Sequence, residues 1–179
     1  MSLTLATLLP ALVLLGLGAV CLVRPPSSER VAQRVIRSNA VALGTLALAS
    51  AWFLYKVTQW GEADFGEFRH FAFIAFLGIA VLSWFHLRDF LVVRAGAVLY
   101  LLIAHALLGA AYMQYDQPGR LVLVTMVYLG IVLALFFGTV PYRFRDGIGW
   151  LHAAPLRIRV FGGICTLCGI LLLIALLSY

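Results

Sequence analysis

Acidic residues are scarce in this chain, and none falls inside its long apolar runs. Seven Asp and Glu stand against 13 Lys and Arg in 179 residues, and charged residues make up 11% of the total. A soluble domain carries about 25%. Without a carboxylate inside an apolar run, a proton- or sodium-coupled transporter is disfavoured, because such pathways usually need one there. The recognisable catalytic and nucleotide motifs are missing as well. There is no phosphate-cradling P-loop, no H-E-x-x-H, no G-x-S-x-G elbow and no dinucleotide fingerprint. No catalytic residue, metal site or cofactor is therefore expected. Lysine is nearly absent, with Lys56 alone against twelve Arg.

Apolar residues are abundant. They make up 64% of the chain, and the mean hydropathy is +1.04. A helix crosses a hydrocarbon core of about 30 Å with about 20 mostly apolar residues. The chain therefore reads as an all-α, polytopic bundle of six transmembrane helices, in one domain covering 1–179. The spans fall at about 3–23, 40–57, 68–87, 90–113, 121–140 and 160–177. The first run lacks a basic leader and a small-x-small cleavage site, so it is read as a retained span and not as a signal peptide. Residues Ser28 to Arg37 form a short amphipathic helix suited to the headgroup layer, with Val31, Val35 and Ile36 opposite Arg30, Arg34 and Arg37. Pro141 stops the fifth span, and 142–159 is expected to be the longest loop.

The net charge of +6 would suggest nucleic acid in a soluble protein. Here the arginines sit at the ends of apolar runs, so they report orientation instead, and nucleic acid is not an expected partner. The connections after spans 1, 3 and 5 hold Arg24, Arg30, Arg34, Arg37, Arg88, Arg94, Arg143, Arg145, Arg157 and Arg159. The other side holds Lys56, Arg69 and Arg120, together with the acidic residues Glu62, Asp64, Glu67 and Asp116. Basic residues of short loops stay cytoplasmic, which puts both termini outside. A bacterial inner (plasma) membrane suits the compact size and short loops.

A pattern recurs three times. Arg37, Arg94 and Arg159 lead into the even spans, which carry Gly44, Gly96 and Gly162 in their first turns. Those spans finish at Tyr55, Tyr112 and Tyr179. Three repeated helical hairpins would account for this. So would the ordinary habit of membrane helices to begin with Arg inside and end with an aromatic outside.

Few residues invite chemistry. His105 is the one histidine near mid-span, in the stretch Arg94 to Tyr112. An imidazole there serves haem ligation, with His70 as the other ligand, or proton transfer. Otherwise it is a neutral ring bonded to a neighbouring helix, for which Thr125 and Tyr128 are on offer. In either case it is expected to face the bundle interior, with Gly109 letting a neighbour approach. Cys165 and Cys168 form a C-x-x-C, but more than a helical turn inside the sixth span, where free thiols act as small buried hydrophobes. Arg143, Arg145, Arg157 and Arg159, with Trp150, form a candidate site for anionic lipid headgroups. The expected function is a non-enzymatic accessory or structural membrane component. Its expected partners are lipid, partner membrane subunits or copies of itself. The alternatives are a small transporter or channel, and a haem- or quinone-associated redox subunit.

Overall fold

A computed structural model describes residues 1–23, 25–61, 66–86 and 90–179, with backbone alone over 25–29. Among the described residues eight α-helices follow one another: α1 (Leu3–Val23), α2 (Pro25–Arg37), α3 (Asn39–Thr58), α4 (Arg69–His86), α5 (Leu91–Ala111), α6 (Arg120–Thr139), α7 (Pro141–His152) and α8 (Pro155–Leu176). A 3-10 turn, Gly66–Phe68, leads into α4. No strand occurs among the described residues. Six helices, all but α2 and α7, are long and apolar enough to cross a membrane. Of the residues assigned to the connections, Arg24, Glu62, Asp64 and Arg88 lie outside the described residues, as does position 87 at the end of the expected third span.

The region 142–159 is not a loop. It is α7 and the first turn of α8, and each of these helices begins on a proline. Proline has no N–H to leave unpaired, and its fixed φ suits the first helical position, so Pro141 and Pro155 start helices. The last helix therefore begins five residues before the expected boundary at 160.

The tightest seam joins the first and last long helices. α1 and α8 run antiparallel with small residues between them. A side-chain carbon added at Gly162 would meet Cys21 Cβ at 2.9 Å and the Gly18 carbonyl oxygen at 3.1 Å. One added at Gly169 would meet Leu15 Cγ at 2.7 Å and the Ala11 carbonyl oxygen at 3.1 Å. Small residues let the two backbones approach closely, as in the packing of apolar helices through glycine and alanine. Beside this pair, α5 and α6 pack through Tyr100, whose ring lies over Gly130 and whose hydroxyl donates to the Val127 carbonyl at 3.4 Å. The buried centre, Ala6, Ala11, Ala104, Leu107, Leu123, Val127 and Leu172 among others, gathers α1, α5, α6 and α8.

α3 packs against α5 on one side and α4 on the other. The α3–α4 contact includes an edge-on pair, Phe53 and Phe76, with centroids 4.8 Å apart. No residue of α4 is buried, so it forms the open edge of the assembly. The three expected hairpins are not equivalent. α1 lies along α8 and not α3, and α4 lies along α3 and not α5.

Candidate functional site

The shorter helices α2 and α7 pack against each other at one end of the long ones. Both are amphipathic, and α2 in particular alternates arginines with Val31, Val35 and Ile36. Val31 and Val35 remain exposed. At the opposite end, Tyr179 meets Thr7, and Arg120 stacks on Tyr115 and donates to the Ala111 carbonyl.

Between α2, α7 and the starts of α3 and α5 lies a half-open cleft of ≈ 560 Å³. Gln33, Arg37, Ser38, Asn39, Arg145 and Asp146 are its polar lining residues. Ile36, Ala42, Phe90, Val92 and Ile148 are its apolar ones. Local sequence explains each contribution. Ser38 stops α2 and caps α3, its hydroxyl accepting the Val41 N–H at 3.3 Å, and this leaves Arg37 at the rim. Phe90 opens α5 in the left-handed region, φ 60°, with no side-chain cap. That conformation costs a residue with a Cβ about 1–2 kcal/mol. It sets the Phe90 ring beneath the Arg145 guanidinium, 5.6 Å from its centroid. Arg145 also donates to one oxygen of Asp146, from Nε at 3.1 Å and Nη2 at 3.0 Å. Both partners are more than half exposed, so this pair adds little stability. Its consequence is orientation of the guanidinium.

The four arginines expected to hold lipid do not share the cleft. Arg145 alone of the four lines the cleft. Arg157 stacks on Trp150 at 4.5 Å and donates to its carbonyl at 3.1 Å. Arg143 lies 5.9 Å from the Tyr142 ring centroid, and Arg159 is exposed on α8. Arg37, 108 positions before Arg145 in the chain, is the cleft residue that sequence reasoning left out of the site. Its position immediately before a helix-capping serine was the available signal.

His105 does not face the interior. It is exposed on α5, as are Gly109, and Thr125 and Tyr128 on α6. The inward stripe of α5 is Ala104, Leu107 and Ala111. One residue is a rotation of about 100° at 3.6 residues per turn, and that carries His105 off the stripe. Gly109 has open space where a side chain would stand. His70, at the start of α4, is also exposed, and the fold does not bring it to His105. Cys21 and Cys165 are buried in the α1–α8 seam, and Cys168 is half-buried. Among the described residues no three His, Cys, Asp or Glu gather as metal ligands would. No protein-family model, curated protein or solved structure significantly matches the chain.

Proposed function

We propose that this protein is a non-enzymatic, multi-pass component of a bacterial inner membrane that binds lipid headgroups and partner helices. Its arginine-rich end lies in the cytoplasm and both termini lie outside. The observation that carries this reading is the pairing of α2 with α7 across the arginine-rich end. Two amphipathic helices held side by side, with exposed Val31 and Val35 among arginines, suit the boundary between headgroups and acyl chains. Exposed Trp150 and Tyr142 are aromatic anchors of the kind enriched at that depth. Short basic connections stay on the cytoplasmic side, which sets the orientation. The partner-helix part of the proposal is supported by His105 and Gly109 on the exposed face of α5. A hydrogen-bonding side chain beside a bare glycine is what membrane helices use to associate.

Orientation is tested by single cysteines in a background where Cys21, Cys165 and Cys168 are Ala. In intact spheroplasts an impermeant maleimide is expected to label Asp116→Cys, and to label Gly147→Cys only after the membrane is opened. Labelling of both from one side would end the six-span reading. The reverse pattern would invert the protein and remove the cytoplasmic headgroup assignment.

A further inference from the structure

We propose that the cleft between α2, α3, α5 and α7 holds the phosphate of an anionic phospholipid on Arg37 and Arg145, with Ile36, Val92 and Ile148 against its glycerol and first acyl carbons. The proposal rests on the reading above, that this end meets the headgroup layer. Four features of the cleft point to such a ligand.

The first is charge in excess of what the protein neutralises. Arg37 has no ion-pair partner among the described residues, and the one salt bridge there joins Arg145 to Asp146. Arg145 spends two N–H donors on a single Asp146 oxygen. A guanidinium carries five donors, so three remain for another acceptor. The second is that α3 and α5 both begin at this cleft. Helix N-termini carry about half a positive charge and unpaired N–H groups, and no side chain caps α5.

The third feature is size. At ≈ 560 Å³ the cleft lies within the roughly 300–1,000 Å³ of small-molecule sites. Inorganic phosphate occupies only a few times the ~30 Å³ of a water molecule. The fourth is the mixed lining. Arginine and amide groups border the cleft together with aliphatic side chains. A free phosphate gains nothing from the aliphatic groups. A phospholipid offers its phosphate to the first kind and its first methylenes to the second.

The test uses the full-length protein, delipidated and titrated with phosphatidylglycerol or phosphatidylcholine under native mass spectrometry. Arg37→Gln with Arg145→Gln removes both positive charges from the cleft. Arg143→Gln with Arg157→Gln removes the same charge from the neighbouring surface. All four side chains are exposed, so thermal stability is expected to hold in both. Loss of two charge-assisted contacts should weaken phosphatidylglycerol binding roughly tenfold or more, while the neighbouring pair changes it little. Asp146→Asn removes the competing negative charge and loosens the two Arg145 donors that Asp146 now holds, and is expected to strengthen binding several-fold. Mere loss of structure would not produce that gain. Equal weakening by both arginine pairs would overturn the cleft while leaving a general lipid-binding role. Displacement of the lipid by excess inorganic phosphate would overturn the lipid as ligand. No preference for phosphatidylglycerol in the wild type would remove the headgroup reading itself.

Discussion

The hydroxyl of Tyr179 stands 2.9 Å from the hydroxyl of Thr7. Thr7 is the one fully buried polar side chain among the described residues, and its Oγ1 also donates to the Leu3 carbonyl at 3.0 Å. A threonine hydroxyl has a single hydrogen. That hydrogen goes to Leu3, so Tyr179 donates and Thr7 accepts. Tyr179 is thereby fixed to the first turns of α1, extending the α1–α8 seam past the last turn of α8. Thr7→Val removes the acceptor, and Tyr179→Phe removes the donor. Each is expected to cost about 0.5–1 kcal/mol, read as a lower midpoint of thermal unfolding in detergent. The double variant should cost about as much as either single. Additive losses would mean that the two hydroxyls do not share a bond.

Two adjacent glycines make a sharper test of the same seam. Gly162 faces α1, with Cys21 Cβ and the Gly18 carbonyl within 3.1 Å of any added carbon. Gly163 has nothing within 4 Å of one. Gly162→Ala forces apart two helices that meet through backbone, and is expected to lower the unfolding midpoint by the equivalent of about 1–3 kcal/mol. Gly163→Ala should raise it, since alanine favours the helix by up to about 1 kcal/mol. The same sign for both variants would mean that the seam lies elsewhere on α8.

The six long helices were legible because apolar run length and the arginines at their ends are local properties. Their ends fell within a few residues of the expected ones, apart from the start of α8. Other features depended on information that is not local. α7 reads Tyr-Arg-Phe-Arg-Asp-Gly-Ile-Gly-Trp, with two glycines that disfavour helix, and its helicity comes with packing against α2, α6 and α8. α5 is apolar nearly all round, so its periodicity marks no inner face. Small size selected that face, through Ala104 and Ala111. The cleft needs α2 beside α7, and no spacing along the chain announces that.

The exposed position of His105 changes what its substitution should do. An exposed imidazole adds little to the packing of its own chain. His105→Leu is expected to leave the thermal midpoint of the isolated monomer within about 0.5 kcal/mol of wild type. In native membranes the same variant should lose any partner that bonds this ring. Co-purification in mild detergent reads that arm. A marked fall in monomer stability would return His105 to the interior.

The last prediction concerns Tyr100 and Gly130, which join α5 to α6. A side-chain carbon at 130 would overlap the Tyr100 ring and hydroxyl, so Gly130→Ala must expel the ring or separate the helices. Overpacking of this kind costs about 1–3 kcal/mol. Tyr100→Leu alone gives up the bond to the Val127 carbonyl and much of the ring's contact, leaving space above Gly130. The combined variant puts a methyl where the ring stood. Its cost should fall well below the sum of the two singles, with a coupling of at least about 1 kcal/mol, in the range found for residues in direct contact. Tyr100→Phe separates the bond from the ring. It loses only the hydroxyl, whose 3.4 Å bond is long, and should cost about 0.6 kcal/mol, the mean for hydrogen bonds measured between membrane helices. Gly130→Ala should remain costly in the Phe background, because the ring still covers the glycine. Simple additivity in the Leu background would show that Tyr100 does not rest on Gly130, and that α5 and α6 meet through another surface.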